Sequence, residues 1–488
     1  MRTQPQGMIT NEAGGNHPEL IQGGMGVGVS DWKLARAVAE AGERLHRPVL
    51  GVVSGTGLAI TMVNRLRQGD LNTKRAFEAF CVPEMAQEVL GKYWLSAGRS
   101  SKSPPKAEVL VNGRDERKAE TLRLIVLANF VEVWLAKEGH NNPIGINYLE
   151  KVQLPRLPEL FGAMLGGVDY VLMGAGIPNQ VPEVLDKLQS YTEASYRIDV
   201  SGSDRYVMSF DPKTVIPERH RRYLKRPQFL AIVSHHALAQ VLAHKATGEV
   251  NGFVVEGPSA GGHNAPARDK ALSERGEPIY GERDRPDLAK IRDLGKPFWL
   301  AGGYASSEKL EEAKRCGAAG IQTGSAFALC DESGLREDIK QALRRLSFSG
   351  DLQVLANPVV SPSGFPFQVA QMEGSLSDRA VYERRKRDCS VGYLVEAYTT
   401  KRGGIGFRCP AEPIAAYLRK GGSLEATEGR VCLCNGLAAA AKDGQRSDKP
   451  DEAFIATLGQ KGHFIHELMP NADASYSAED VINFIFSR

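Results

Sequence analysis

Two stretches late in the chain, Leu300-Ala-Gly-Gly-Tyr304 and Gly320-Ile-Gln-Thr-Gly-Ser-Ala326, decide the fold. Each begins with an apolar, strand-like run that leads into glycine, and a helical pattern at residues 307–316 separates them. Glycine lets the backbone approach an anion closely, and a helix that follows such a turn begins with unpaired N–H groups. Either turn alone is also typical of an ordinary strand–helix connection. The pair matches the phosphate site that follows strands seven and eight of a (β/α)8 barrel.

The same alternation of strand and helix extends back along the chain to about residue 20. Short apolar runs alternate with helical patterns, as parallel strands buried on both faces do. The predicted strands are residues 47–53, 142–146, 169–173, 229–233, 252–255, 298–301 and 320–323. About eight strand–helix units fit, and a (β/α)8 TIM barrel closes at that number. An open, doubly wound parallel sheet stays open as an alternative from the pattern alone.

A second motif, Val254-Val-Glu-Gly-Pro-Ser-Ala-Gly-Gly-His263, contains an apolar strand that runs into a glycine-rich turn. Catalytic groups of barrel enzymes lie at the C-terminal ends of the strands. A histidine at such a position can exchange protons near neutral pH. Gly261 and Gly262 would let a flat ligand lie close to the backbone. We therefore predict that His263 is a catalytic residue rather than a surface histidine.

The first strand–helix turn, Leu20-Ile-Gln-Gly-Gly-Met-Gly-Val-Gly-Val-Ser30, is also rich in glycine. It lacks the G-x-G-x-x-G fingerprint within a βαβ unit with a downstream acid, so it is weak evidence for a dinucleotide site. Its close backbone would suit the flat face of a ring system.

Taken together, these motifs resemble those of one enzyme family. The order Gln-Gly-Gly-Met-Gly, Gly-Ile-Asn at residues 145–147, Glu-Gly-x-x-Ala-Gly-Gly-His, Ala-Gly-Gly and Gln-Thr-Gly-Ser is similar to that of the nitronate monooxygenase (2-nitropropane dioxygenase-like) family. That family also includes the FMN-dependent enoyl-acyl-carrier-protein reductases. The resemblance covers roughly residues 18–345, and it implies FMN bound to a TIM barrel.

The resemblance also assigns roles to residues. His263 matches the catalytic histidine, and Ser234 lies where the family often has a polar residue near the cofactor. The remaining predicted cofactor-binding residues lie in the same motifs: Gln22, Gly23, Gly24 and Met25 beside the isoalloxazine, Asn147 facing the flavin, Glu256, Gly261 and Gly262, and Gly302, Gly303, Gln322, Gly324 and Ser325, of which the glycines and Ser325 match the phosphate site.

The chain departs from the family pattern after His263. The loop continues Asn264-Ala-Pro-Ala-Arg268 where the family has a small residue, and a charged stretch follows at residues 269–287. Reductases of polyunsaturated fatty acid and polyketide synthesis have a similar continuation. We therefore expect this loop to act as a lid or surface flap and to decide the substrate.

Two segments fall outside the repeating pattern. We predict a barrel domain over residues 1–350 with a mostly helical insertion at about residues 63–137, including a flexible loop at residues 96–106, and an extension over residues 351–488. The extension contains four cysteines, Cys389, Cys409, Cys432 and Cys434. Four thiolates can bind zinc or an iron–sulfur cluster. Their spacing is not a standard signature, however, and cysteine is also a common buried residue.

Composition excludes several other classes of protein. The chain has 61 Lys and Arg against 58 Asp and Glu, a net charge of +3, which gives no reason to expect nucleic acid as a partner. No stretch approaches the roughly 20 apolar residues of a membrane span. The N-terminal residues contain no signal-peptide pattern, so a cytoplasmic location is expected. The oligomeric state stays open.

Three hypotheses of function follow. The first is an FMN-dependent oxidoreductase that oxidises a nitronate or a similar small anion with oxygen, with His263 as base or as electrostatic partner of the anion. The second is an NAD(P)H-dependent reductase of an enoyl thioester, carried on acyl-carrier protein or coenzyme A. The third is a non-catalytic flavin or metal protein that relays electrons.

Overall fold

The computed structural model describes residues 17–94, 116–444 and 452–487. Eight parallel strands form a closed barrel in which β1 pairs with both β2 and β10. The predicted TIM barrel is therefore confirmed, and the open sheet is excluded. The barrel strands are β1 (Leu20–Gln22), β2 (Val49–Ser54), β3 (Ile144–Leu149), β4 (Tyr170–Gly174), β7 (Gln228–Val233), β8 (Gly252–Glu256), β9 (Phe298–Ala301) and β10 (Gly320–Thr323).

Side chains fill the barrel interior, because alternate residues of each strand point inward. This inner cluster is separate from the larger apolar layer between the strands and the surrounding helices. Its members include Leu50, Val52, Leu172, Val254 and Trp299, all fully buried. The barrel is thus solid at its centre, and a ligand must bind at one end.

Helices surround the barrel between successive strands. The first begins after Asp31, whose side chain accepts hydrogen bonds from the backbone N–H groups of Lys33 and Leu34 and so caps the helix. These helices are α1 (Trp32–Arg44), α6 (Arg156–Leu165), α7 (Val181–Gln189), α8 (His236–Lys245), α9 (Leu288–Arg292), α10 (Ser307–Arg315), α11 (Ser325–Ala328) and α12 (Glu337–Ser349).

The segment between β2 and β3 is helical. It contains α2 (Leu58–Arg67), α3 (Leu71–Glu78), α4 (Pro83–Tyr93) and α5 (Glu116–Ala136). The loop expected at residues 96–106 lies outside the described residues. Arg65 of α2 is buried and forms ion pairs with Asp31 at 3.2 Å, Glu132 at 2.6 Å and Asp443 at 2.6 Å. One guanidinium group therefore links α2 to α5, to the cap of α1 and to the C-terminal part of the chain.

A hairpin that the sequence analysis did not identify lies between α7 and β7. It consists of β5 (Ala194–Ser201) and β6 (Ser203–Phe210), and its sheet is completed by β13 (Glu396–Thr399) and β14 (Ile405–Arg408). In β5 every second residue, Ala194, Tyr196, Ile198 and Val200, is buried. This strict alternation is the usual signature of a half-buried strand, so the signal was present in the sequence.

The chain after residue 351 packs over the C-terminal ends of the barrel strands and down one side. Its remaining elements are β11 (Val354–Asn357), β12 (Phe367–Ala370), α13 (Arg379–Arg384), α14 (Ile414–Arg419), α15 (Leu433–Ala439) and α16 (Ala478–Phe486). The last helix packs against α1 and α10. No helix in the described ranges combines the length and the apolar character that a membrane crossing requires.

Candidate active site

A cavity, which we call the mouth cavity, opens at the C-terminal ends of the barrel strands. It encloses about 1400 Å³, including the part that is open to solvent. It brings together most of the residues predicted from the sequence: Gly23, Gly24, Met25, Asn147, Glu256, Gly261, Gly262, His263, Gly302, Gly303, Gln322, Gly324 and Ser325. These residues lie far apart in sequence, and the closed barrel brings them to one place.

The two glycine turns that decide the fold lie side by side in this cavity, because β9 and β10 are neighbours. Gly302 and Gly303 have φ values of +91° and +90°, which residues other than glycine rarely adopt. A Cβ at Gly302 would also lie 3.1 Å from the Gly257 carbonyl oxygen. At the other turn, a Cβ at Gly324 would lie 2.5 Å from Sδ of Met25. The first turn therefore needs glycine because of its positive φ values, whereas a side chain at Gly324 would require Met25 to move.

The first strand–helix turn contributes a third stretch of close backbone. A Cβ at Gly24 would lie 2.7 Å from Cβ of Asn147, whose Nδ2 donates to the Gly24 carbonyl at 3.4 Å. Gln22 does not line the cavity. Its side chain is fully buried, donates to the Gly23 carbonyl at 2.7 Å and accepts from the Val52 N–H at 2.8 Å. Because these bonds are directed at the backbone, Gln22 holds the turn in shape and does not face the cavity.

His263 lies in the loop after β8, with its ring fixed by the C-terminal part of the chain. Its Nε2 is 2.7 Å from the hydroxyl oxygen of Ser361, and its ring meets that of Phe367 edge to face at 4.8 Å. Burial lowers the pKa of His263 from 6.5 to about 4, because the apolar surroundings disfavour the charged ring. The imidazole is therefore neutral at pH 7.

Glu256, at the end of β8, is the second titratable group of the cavity. Burial raises its pKa from 4.5 to about 7, since the carboxylate loses hydration on entering the barrel mouth. Nε2 of Gln322 donates to its Oε1 at 3.4 Å. A group with a pKa near 7 is suited to exchange protons at physiological pH. This carboxyl group could therefore act as an acid or a base, at a position that the sequence predicted only as cofactor-binding.

A second cavity adjoins the mouth cavity and shares Ile232, Glu256 and His263 with it. Ser234 lines this second cavity and not the first. The loop at residues 264–287, where the sequence departs from the family pattern, forms much of its wall. The apolar or aromatic residues that line it include Ile177, Leu238, Pro266, Tyr280, Pro286 and Phe365, and Arg268 and Arg285 add charge.

The sequence analysis missed the part of the mouth cavity that the extension supplies. These residues are Phe367, Tyr393, Leu394, Leu433, Leu437, Thr457, Gly459, Lys461 and Phe464. Only the run Leu458-Gly-Gln-Lys-Gly462, with glycine two residues before the lysine and one residue after it, resembles a ligand-binding turn in the printed sequence. The others have no local pattern that distinguishes them from ordinary buried residues.

The four cysteines of the extension do meet, but the structure does not bear out the predicted iron–sulfur or zinc site. Cys389 lies beside Cys409 and Cys432, and Cys432 lies beside Cys434. Hydrogen bonds from Cys409 and Cys432 lower the pKa of Cys389. Across the described ranges, no group of three or more His, Cys, Asp or Glu side chains is arranged to hold a metal ion.

Comparison with known proteins gives similarity in structure alone. No family model matches the sequence, and no curated protein matches it. FabK from Thermotoga maritima has a TM-score of 0.45 and 16% identity over 96% of this chain and 91% of its own. A nitroalkane oxidase from Streptomyces ansochromogenes has a TM-score of 0.44 and 17% identity over 96% and 94%. The enoyl reductase domain of MlnA from Bacillus amyloliquefaciens has a TM-score of 0.44 and 12% identity over 95% and 92%. Identities this low assign neither a cofactor nor a substrate to this chain.

Proposed function

We propose that the chain is an FMN-dependent oxidoreductase with its active site in the mouth cavity. One observation carries the proposal. The two adjacent glycine turns after β9 and β10 open onto the same cavity as a neutral histidine and a carboxyl group whose pKa is near 7. Groups that favour a bound anion thus lie beside groups that can orient a substrate and exchange a proton.

The residues present fit such a cofactor. The backbone of Gly302, Gly303, Gly324 and Ser325 would hold the phosphate, since its N–H groups can approach an anion where no Cβ intervenes. The glycines at positions 23, 24, 261 and 262 would let the flat ring lie against the backbone. When bound, FMN would supply the two-electron redox chemistry, and the protein would supply position and electrostatics.

The side chains have separate roles in this proposal. Ser361 occupies Nε2 of His263, so Nδ1 is the ring atom that we assign to the substrate oxygen. A lowered pKa makes His263 a weak base at neutral pH, and we assign it to binding and orienting the substrate. Glu256 is the better proton carrier, because its pKa lies near the working pH.

Two substrates fit the cavity chemistry. A nitronate or similar small anion would need only the mouth cavity and a hydrogen bond from His263. An enoyl thioester would in addition need room for an apolar chain. The adjoining cavity, with Ile177, Leu238 and Phe365 on its wall, favours this second candidate. In that reading NAD(P)H is the electron donor.

A visible spectrum of the purified, full-length protein tests the cofactor. We expect flavin absorption bands, and FMN in the supernatant after denaturation. A colourless protein that also fails to bind added FMN would contradict the proposal. Anaerobic mixing of the flavin-bound protein with each candidate reductant then distinguishes the two substrates. Loss of the flavin absorption bands with NADPH supports the thioester reductase, whereas loss with propyl-2-nitronate supports nitronate oxidation.

A further inference from the structure

Residues 457–461, which we call the C-terminal strap, cross the mouth cavity and touch both sides of the site. The hydroxyl of Thr457 accepts a hydrogen bond from the Gly262 N–H at 2.8 Å. The Gly459 N–H donates to the hydroxyl oxygen of Ser325 at 2.8 Å. The Gln460 N–H donates to the Ser259 carbonyl at 3.0 Å. The strap is therefore hydrogen-bonded to the histidine loop and to the turn after β10.

The strap also packs too closely to be a loose covering. A Cβ at Gly459 would lie 2.9 Å from the Ser259 carbonyl oxygen, and a Cβ at Gly261 would lie 3.0 Å from the Leu458 carbonyl carbon. Backbone meets backbone on both sides, which is possible only with glycine at these two positions. The strap is thus a wall of the site with a fixed position.

Lys461 extends from the end of the strap over the turn after β9. A Cβ at Gly303 would lie 2.6 Å from Cδ of Lys461, so the lysine stem covers that glycine. The side chain lines the mouth cavity and also a further cavity, which we call the outer cavity, bordered by Gly302 and Gly303.

Lys461 differs from its charged neighbours in its ion pairing within the described ranges. The two other cations of the outer cavity have acidic partners, Glu312 for Lys309 at 2.5 Å and Glu282 for Arg285 at 2.8 Å. Among the residues that the structure describes, Lys461 has no carboxylate within salt-bridge distance. The stem of this exposed lysine packs against Gly303, so its ammonium group can reach an anion bound at the glycine turns.

We propose that Lys461 binds the phosphate of the cofactor, so that the extension completes the site that the two glycine turns begin. This inference rests on the proposed function. The glycine turns would offer backbone N–H groups, and Lys461 would add a full positive charge to oppose a group that carries close to two negative charges. The chain after residue 351 is then part of the cofactor site and not an addition to a complete barrel.

The test compares FMN with riboflavin, which has the same ring and no phosphate. The full-length chain, stripped of flavin, is titrated with each ligand while flavin fluorescence is recorded. In Lys461→Met we expect the Kd for FMN to rise about tenfold and the Kd for riboflavin to stay unchanged. Lys461→Arg should restore most of the FMN affinity, and added salt should weaken FMN binding more in the wild type than in Lys461→Met.

Lys309→Met is the matched control, because Lys309 lines the same outer cavity but is already paired with Glu312. It should leave both constants unchanged. An equal loss of affinity for both flavins in Lys461→Met, or no loss for either, would overturn the inference while leaving the proposed function in place. A wild-type chain that binds neither flavin would overturn the proposed function instead.

Discussion

The barrel and the extension contribute to the same cavity, but they hold their residues there by different means. Barrel residues lie at the ends of strands whose ladder continues around the closed sheet. Residues of the extension are held at the cavity by individual hydrogen bonds to the barrel loops. Nε2 of Gln368 donates to the Pro258 carbonyl at 2.8 Å and to Oδ1 of Asn264 at 2.9 Å, and Thr457 accepts from the Gly262 N–H. The barrel therefore supplies the frame, whereas the extension fixes the position of the loop that contains His263.

The largest expected effect comes from breaking the ion cluster that links the two regions. Arg65→Met would leave Asp31, Glu132 and Asp443 without their common partner, and losing one member of a buried ion cluster costs about 3–5 kcal/mol. We expect the free energy of unfolding, measured by denaturant titration, to fall by that amount.

Arg44→Met is the matched control for Arg65→Met. Arg44 also reaches the C-terminal part of the chain, through Glu479, but its side chain is 58% exposed. An exposed pair contributes less than about 1 kcal/mol. Equal losses in the two variants would mean that the buried cluster does not couple the barrel to the extension.

The next effect concerns the barrel alone and depends on pH. Because the pKa of Glu256 is raised from 4.5 to about 7, the native protein keeps a proton that the unfolded chain releases. The stabilising contribution of the protonated group is present below pH 4.5 and is lost as the pH rises to about 7. Glu256→Gln removes this dependence, so its stability relative to the wild type should rise across that range by up to about 3 kcal/mol.

Urea titrations of the flavin-free protein at several pH values measure this difference. Glu282→Gln serves as the control, since the Glu282 side chain is 81% exposed. A wild type and a Glu256→Gln variant with parallel pH profiles would show that the pKa of Glu256 is not raised in the native protein.

The barrel and the extension also differ in how well their structure can be predicted from the sequence. Buried parallel strands appear in the sequence as apolar runs, and in this chain glycine turns follow two of them. The local pattern is therefore enough to locate β9, β10 and their turns. Gly302 and Gly324 were found in this way, and the closed barrel confirmed their proximity. The alternation in β5 was equally local and was overlooked.

The rest of the site could not be read from local pattern, because its residues are placed by contacts distant in sequence. Ser361 is 98 residues from His263, and Thr457 is 195 residues from Gly262. Neither follows a strand or lies in a repeated motif. Lys461 is an exposed lysine like many others in the chain, and only the nearby Gly459 and Gly462 distinguish it in the sequence. The four cysteines show the converse: they cluster in sequence and lie near one another in the fold, but no metal-holding group is found among the described residues.

Replacing the histidine tests the chemistry to which both regions contribute. If His263 orients the substrate, His263→Asn should lower kcat by about 100-fold or more while the bound flavin is retained. Steady-state turnover with the substrate identified by anaerobic reduction, together with the flavin spectrum, measures both quantities. His244→Asn, at an exposed position of α8, should change neither. Unchanged turnover in His263→Asn would remove the residue from the mechanism.

The smallest expected effect isolates what the extension adds to that histidine. Ser361 is fully buried, and its hydroxyl contacts Nε2 of His263 and the hydroxyl of Ser363, each at 2.7 Å. Ser361→Ala should free the ring to rotate and lower kcat about tenfold, with KM and flavin affinity unchanged. Ser363→Ala, which keeps the contact with the ring, should have a smaller effect.

Ser361→Ala should cause no further loss of kcat when it is combined with His263→Asn, because a positioning residue has no role once the group that it positions is gone. A further loss in that double variant would mean that Ser361 supports the fold of the extension in general, and that the barrel orients its histidine without help.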